Sequence, residues 1–170
     1  MADKDQFTEL IRENKGIIFK ICNAYSSSKE DRDDLAQEII YNLWKSYSGS
    51  GFRPDYKFST WMYRIALNVA ISFYRKERRQ RRRVIYSESL LVVDDDVGPP
   101  DTEADKDLAL LLQFIGALKE IDKSIMLLYL GDKSYKEIAE ITGITESNVA
   151  TKINRIKDKL KTNFLNHQNK

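Results

Sequence analysis

Apolar side chains recur through the first half of the chain at steps of three and four residues, which is the period of an α-helix rather than of a strand. This pattern predicts three helices. The first extends from Phe7 to Tyr25, the second lies within residues 26–47, and the third runs from residue 59 to residue 83 without glycine or proline. Ser59 or Thr60 is expected to cap the third helix. The first half is therefore predicted to be all-α.

The second helix has two chemically different faces. Its predicted core face consists of Leu35, Ile39, Ile40, Leu43 and Tyr47. The opposite face is polar and consists of Asp34, Gln37, Glu38 and Tyr41. Because the helical period separates these two sets, the polar set is expected to point away from the core.

The third helix also separates into faces on a wheel of about 100° per residue. One stripe roughly 80° wide carries Trp61, Arg64, Asn68, Ser72, Arg75, Arg79 and Arg82. An adjacent apolar face carries Met62, Ile65, Ala66, Val69 and Phe73. Arginines neutralise phosphates, an amide pairs with base edges and an aromatic ring stacks on an unpaired base, so the stripe has the composition of a nucleic-acid surface. The simpler alternative is a solvated helix face.

Charge is segregated along the chain, although the formal net charge is only +2. Residues 75–83 contain seven basic residues and one acid, whereas residues 87–107 contain eight acids and one lysine. Gly98, Pro99 and Pro100 interrupt any helix in the acidic stretch, which also has too few large apolar residues for a core. Its composition predicts a flexible acidic linker, residues 87–104, between two small domains, residues 1–86 and 105–170.

The second domain has the pattern of a helix-turn-helix. One apolar helix is predicted over residues 108–118 and another ends at Gly131. A short helix capped by Ser134 follows, Gly143 makes a tight turn, and Thr145 caps the last helix.

The last helix also has two faces. Its predicted buried stripe consists of Val149, Ile153, Ile156 and Leu160. The exposed side of its N-terminal end carries Ser147, Asn148, Thr151, Lys152 and Arg155. A recognition helix contacts the DNA major groove with such residues near its start, although some helical hairpins have the same pattern. An ion pair of Arg155 with Asp158 or Glu146 would compete with DNA contact.

Composition excludes several classes of function. His167 is the only histidine and Cys22 the only cysteine, so a histidine-based triad, a multi-histidine or CxxC metal site and a disulfide framework are not expected. Neither enzymatic activity nor a metal or other cofactor is predicted. The apolar runs are far shorter than the roughly 20 residues of a membrane span, and the polar N-terminus is no secretory signal, so a cytoplasmic protein is expected.

Three segments together resemble a known family over nearly the whole chain. In order they read DLAQEIIYNLWKSY, FSTWMYRIALNVAISFYRKERR and SYKEIAEITGITESNVATKINRIKDKL. With the acidic linker between the second and third, they resemble the bacterial RNA polymerase sigma factors of the extracytoplasmic-function (ECF) type. The resemblance implies a region 2 helical bundle, a region 4 helix-turn-helix, and a protein that binds core RNA polymerase and directs transcription from specific promoters.

The resemblance also implies a role for each surface. The helix face around Asp34, Leu35, Gln37, Glu38 and Tyr41 would dock on the clamp helices of the polymerase β′ subunit. The stripe from Trp61 to Arg79 would read and open the −10 element of promoter DNA, and loop 48–57 would capture a flipped base. The start of the last helix would read the −35 element. The polymerase β flap and an anti-sigma factor are further implied partners.

Two positions depart from the family pattern, and the linker has two interpretations. Met62 replaces a second tryptophan of housekeeping sigma factors, which predicts weaker melting and stricter promoters. Asn148 replaces the usual threonine, so the −35 sequence of relatives does not transfer. In the family the linker threads through positively charged polymerase channels, where Asp94, Asp95, Asp96 and Asp101 would mimic nucleic-acid charge. A soluble tether is the plain alternative.

Two other classes of protein compete with this interpretation. A helix-turn-helix repressor or activator that binds DNA without polymerase would leave the polar face of the second helix and the stripe unexplained. It would also normally have a dimerisation element, which the sequence does not reveal. A structural RNA-binding protein would use the arginines but would not need a recognition helix.

Overall fold

A computed structural model describes residues 3–49, 51–53, 55–81 and 102–169. Within these ranges the chain forms eight α-helices and no β-strand, which confirms the predicted all-α fold class. The chain divides into two compact units, Met1–Tyr86 and Ser87–Lys170. Arg82 and the four linker aspartates at 94, 95, 96 and 101 lie outside the described residues.

The first unit contains four helices, α1 (Lys4–Glu13), α2 (Lys15–Tyr25), α3 (Lys29–Ser48) and α4 (Phe58–Arg81). The single helix predicted from Phe7 to Tyr25 is therefore wrong, because Asn14 divides it. Asn14 has φ −111° and ψ 13°, and its side-chain amide donates to the carbonyl of Leu10 at 2.8 Å. An asparagine side chain that binds a nearby backbone carbonyl competes with the helical ladder, which favours the break.

Helices α2, α3 and α4 pack against one another and form the core of the first unit. Leu35, Ile39 and Leu43 on α3 are fully buried, as predicted. Ile40 is 40% exposed, so its assignment to the core face was wrong. Ile40 lies about 100° from Ile39 on the wheel, at the edge of the arc that α2 and α4 cover.

Helix α4 begins at Phe58, and the carbonyl of Lys57 accepts hydrogen bonds from the N–H groups of Thr60 and Trp61 at 3.1 and 3.2 Å. Ser59 and Thr60 therefore lie in the first turn, and the predicted hydroxyl cap is wrong. Measured as an angle around the helix axis, the buried face of α4 also lies further from the stripe than predicted. It consists of Met62, Tyr63, Ala66, Leu67, Ala70 and Ile71.

The second unit contains α5 (Glu103–Gly116), α6 (Glu120–Leu130), α7 (Tyr135–Thr142) and α8 (Glu146–Gln168). Helix α5 begins five residues before the predicted start at residue 108, within the range assigned to the linker. Gly131 caps the C-terminus of helix α6, so the predicted end of this helix is confirmed.

The local signals of the helix-turn-helix are confirmed. The Ser134 hydroxyl accepts from the N–H of Glu137 at 3.1 Å, and the Glu137 carboxylate accepts from the N–H of Ser134 at 2.9 Å, which completes a capping box. Gly143 has φ 77°, a left-handed conformation that glycine adopts without steric cost. The Thr145 hydroxyl accepts from the N–H of Asn148 at 3.1 Å. These caps fix where α7 ends and α8 begins.

The predicted buried stripe of α8 is confirmed, since Val149, Ile153, Ile156 and Leu160 are all buried. Helices α5, α6 and α7 each pack on α8. This arrangement leaves the opposite side of the N-terminal half of α8 to the surface. Among the described residues, no helix is both long and apolar enough to cross a membrane.

Candidate functional site

The polar face of α3 is a continuous exposed surface. Asp34, Gln37, Glu38 and Tyr41 are all exposed, and Tyr41 retains 63% of its accessible surface. These four residues are called the α3 polar face below. Leu35 is 0% exposed, so its predicted contact with a partner is wrong and its side chain belongs to the core. An exposed aromatic ring flanked by carboxylates is suited to a basic protein surface with an apolar component.

The stripe of α4 lies on the side of the helix away from the core. Arg64, Asn68, Ser72, Arg75 and Arg79 are exposed and Trp61 is half-buried. These six residues are called the α4 stripe below. On a helical wheel the centre of the stripe lies about 150° from the centre of the buried face. Since a helix packed on one side presents its opposite side to solvent, the α4 stripe is a surface that a polyanion can reach.

Trp61 packs within an aromatic cluster at the head of the α4 stripe. Its ring centroid lies 5.2 Å from that of Phe58, 5.7 Å from that of Phe52 and 6.4 Å from that of Tyr47. Phe52 belongs to the loop between α3 and α4, where Gly51 has φ 79°. The cluster consists of Phe7, Trp44, Tyr47, Phe52, Phe58 and Trp61. It holds the Trp61 ring by its inner side and leaves part of it accessible.

Sequence reasoning missed Phe52 and Phe58 as neighbours of Trp61. Phe52 lies in an irregular loop, where no period relates it to a helix face. The available signal was the presence of two phenylalanines on either side of a polar loop that precedes an aromatic helix start.

The predicted recognition residues of α8 divide into two groups. Ser147, Asn148, Thr151 and Arg155 are exposed. Lys152 is less exposed, and its Nζ lies 3.0 Å from Oδ1 of Asp122 on α6.

The competing ion pair of Arg155 with Asp158 or Glu146 is not formed. Within residues 102–169 the Arg155 side chain has no hydrogen-bond or ion-pair partner, whereas Lys152 has one. The partner of Lys152 was missed because it lies 30 residues away in the sequence. Of these two basic residues, Arg155 is therefore the one that is both exposed and unpaired within residues 102–169.

Burial perturbs the pKa of a thiol in the first unit and of an amine in the second. Burial raises the pKa of the Cys22 thiol to about 11, although the positive charge of Arg32 opposes the shift. Burial also lowers the pKa of Lys123, which is 1% exposed, and the negative charge of Glu120 opposes that shift. In the described ranges no group of three or more histidine, cysteine and acidic residues is arranged to hold a metal ion.

Comparison with known proteins matches each unit to a defined module. Residues 10–80 match the family described as Sigma-70 region 2, and residues 108–160 match Sigma-70, region 4. The chain is 31% identical over 170 residues to the ECF RNA polymerase sigma factor SigW of Bacillus subtilis, and the match covers 94% of this chain and 89% of SigW.

Two solved structures share the fold. One is the sigma factor RpoE of Bartonella quintana in complex with the anti-sigma factor NepR, with a TM-score of 0.69, 20% identity, and coverage of 95% of this chain and 98% of RpoE. The other is CnrH, a sigma factor of Cupriavidus metallidurans, in complex with the cytosolic domain of CnrY. Its TM-score is 0.67 at 20% identity, and the match covers 95% of this chain and 88% of CnrH.

The fold and the two matched regions define a sigma-70 type transcription factor. The chain belongs to the ECF RNA polymerase sigma factors. It is therefore an RNA polymerase sigma factor, which binds core polymerase and directs promoter-specific initiation of transcription. Sigma factors in general are not enzymes. The comparisons give no support to a regulator that acts without polymerase.

Proposed function

We propose that this sigma factor performs initiation through three separate surfaces. The α3 polar face docks on the clamp helices of the polymerase β′ subunit. The α4 stripe reads and opens the −10 element, and the start of α8 reads the −35 element. The observation that carries this assignment is the α4 stripe, in which exposed arginines, an exposed asparagine and a half-buried tryptophan share one side of one helix.

The length of the α4 stripe suits a promoter element. At a rise of about 1.5 Å per residue, Trp61 and Arg79 are separated by about 27 Å along the helix axis. With about 3.4 Å per base pair, this distance corresponds to roughly eight steps of duplex DNA. Arg75 and Arg79 would hold phosphates at one end, while the amide of Asn68 reaches base edges in the middle.

Trp61 lies where opening would begin. Removing a base from the duplex costs a few kcal/mol, and stacking of that base on an aromatic ring recovers about 1–3 kcal/mol. The aromatic cluster supports this role, because it fixes the inner side of the Trp61 ring against Phe52 and Phe58 and leaves the outer side for a base. Phe52 also connects the flipped-base loop to the same ring.

The start of α8 supplies the residues for the −35 element. Asn148 and Arg155 have the side chains that pair with adenine and guanine edges in the major groove. Ser147 and Thr151 suit phosphate or base contacts, although the Thr151 hydroxyl already donates to the carbonyl of Ser147 at 3.0 Å and is left as an acceptor.

Partners other than promoter DNA and the clamp follow from the relatives. RpoE and CnrH were each solved with a bound partner, NepR for RpoE and the cytosolic domain of CnrY for CnrH. An anti-sigma factor is accordingly proposed for this chain, together with the polymerase β flap as a second polymerase contact. The proposed place of action is the cytoplasm, where RNA polymerase works.

The test compares the free protein with its complex with core polymerase. The free protein is expected to bind promoter duplex weakly and with steep salt dependence, because phosphate contacts dominate nonspecific affinity. Addition of core polymerase should give initiation at a defined start site. Tight, sequence-specific binding by the isolated protein at physiological salt, without initiation by the complex, would contradict the proposal.

A further inference from the structure

Two lysines of α8 are engaged by side chains of α6, with different electrostatic consequences. Lys157 Nζ donates to the hydroxyl of Tyr129 at 2.7 Å, and Lys152 Nζ donates to Asp122 Oδ1 at 3.0 Å. A phenol is neutral at physiological pH, so Lys157 keeps its charge. The carboxylate of Asp122, by contrast, cancels the charge of Lys152. One of the cations at the start of α8 is therefore neutralised within the protein.

The position of Lys152 on α8 explains why a partner from α6 reaches it. On a wheel of about 100° per residue, Lys152 lies about 40–60° from Asn148 and Arg155 on the exposed side. It lies about 40–60° from Val149 and Ile156 on the buried side. Lys152 thus stands at the boundary between the DNA-facing side and the helix packed beneath it, where its amine can meet either Asp122 or a phosphate.

We propose that Asp122 sets the sequence-independent affinity of the −35 surface for DNA by withholding Lys152 from phosphate. This inference rests on the proposed role of α8. A phosphate contact strengthens binding to every sequence alike, since phosphates carry no sequence information. By pairing with Lys152, Asp122 removes one such contact without changing the sequence-reading residues Asn148 and Arg155. The affinities for promoter and non-promoter duplex are then lowered by the same factor, and their ratio stays the same.

A purely structural role for the pair is a weaker explanation. The Lys152 and Asp122 side chains retain 38% and 27% of their accessible surface. Ion pairs exposed to this degree are screened by solvent and contribute little to stability. The buried stripe of α8 already fixes the helix on α6. The charge of the pair, rather than its contribution to folding, is what distinguishes it.

The experiment measures binding of the full-length protein to two duplexes over a range of salt concentrations, with and without core polymerase. One duplex carries the −35 element of a promoter at which the complex initiates, and the other is scrambled. The variants are Asp122→Asn, which keeps the side-chain shape, Lys152→Met, the two combined, and Arg155→Ala. Asp107→Asn is the matched control, because it makes the same charge change at an exposed position of α5.

Asp122→Asn is expected to raise affinity for both duplexes several-fold and to steepen the salt dependence by about 0.9 in log K against log salt, the value for one added phosphate contact. The ratio of promoter to scrambled affinity should stay near that of the original protein. Asp107→Asn should leave the slope near that of the original protein. Lys152→Met should lower the slope by about one contact in the Asp122→Asn background and by much less in the original background.

Three outcomes would overturn the inference. If Lys152→Met lowers the slope by the full amount while Asp122 is present, the lysine contacts DNA despite its partner. If Asp122→Asn and Asp107→Asn act alike, only net charge matters. If Arg155→Ala leaves binding to both duplexes unchanged, α8 is not the DNA surface and the proposed function of this helix fails with it.

Discussion

Replacement of Trp61 by alanine separates its role in packing from its role in opening DNA. The ring is half-buried and meets three aromatic rings at 5.2–6.4 Å. Each aromatic pair contributes about 0.5–1.5 kcal/mol, so the loss of three pairs from a half-buried site is expected to lower the free energy of unfolding by about 2–3 kcal/mol. At roughly 4–8 °C per kcal/mol, the first unit should melt at least roughly 8 °C lower. Lower stability therefore does not by itself distinguish the two roles.

Trp44 provides the matched control. It is the other tryptophan of the aromatic cluster, is also half-buried, and has its ring 5.1 Å from Phe7 and 6.3 Å from Tyr47. It lies on α3, outside the α4 stripe. Trp44→Ala is expected to lower the melting temperature by a similar amount without removing a surface on which a base can stack.

The assay is transcription by the reconstituted polymerase at a temperature well below both melting transitions. On duplex promoter, Trp61→Ala should lose the 1–3 kcal/mol of stacking, which corresponds to a decrease of roughly 5- to 150-fold in open complex. A template already unpaired across the −10 element should restore its activity, because the cost of unpairing has been removed. The same template should not restore any activity that Trp44→Ala loses.

Two results would refute this reasoning. If the unpaired template fails to rescue Trp61→Ala, the ring acts through packing alone. If it rescues Trp44→Ala to the same extent, then any damage to the aromatic cluster impairs opening, and Trp61 has no special contact with DNA.

The remaining predictions concern docking, recognition and titration. Charge reversal at Asp34 and Glu38 together should abolish binding to core polymerase while changing stability by less than about 0.5 kcal/mol for each exposed site; retained core affinity would remove the α3 polar face from the interface. Arg155→Ala should reduce the discrimination between bases at one position of the −35 element by about 1–3 kcal/mol, measured by binding to single-base variants of that element. A uniform loss of affinity over all variants would instead indicate a phosphate contact. Because burial raises the pKa of Cys22 to about 11, its contribution to stability is fully present below the unfolded pKa and is lost as pH rises from there through the folded pKa of about 11. Its reaction with thiol reagents at neutral pH should therefore be slow until the first unit unfolds, and rapid labelling of the native protein would contradict its burial. Since burial lowers the pKa of Lys123, the unfolded chain binds more protons between the folded and unfolded pKa, so the free energy of unfolding of the second unit should rise with pH in that range; denaturant titrations should show that Lys123→Met removes the rise.

Local signals made the second unit largely predictable from the sequence. The Ser134 and Thr145 caps and the Gly143 turn depend on residues within three or four positions of each other, and the structure has all three. The four buried positions of α8 follow from its period alone. Such short-range features are determined by backbone geometry and by which side chains can satisfy it.

The features that were not predicted depend on contacts distant in sequence or on competition within a turn. The break at Asn14 results from a side chain that takes a carbonyl from the helical ladder, without any proline or glycine to mark it. The pairing of Lys152 with Asp122 exists only because α6 packs beside α8. The exposure of Ile40 depends on how much of α3 its neighbours cover. Periodicity identifies a face but not the width of the arc that a partner helix buries.

The location of both tryptophans in one aromatic cluster gives the protein a built-in spectroscopic reporter. Trp44 and Trp61 are the only tryptophans in the sequence, and the second unit contains tyrosines but no tryptophan. Emission excited selectively from indole therefore originates in the first unit alone. Stacking of a DNA base on Trp61 should quench this emission, whereas a ligand confined to the second unit should leave it unchanged. The tryptophan emission of the unlabelled protein thus shows whether DNA has bound the first unit or only the second.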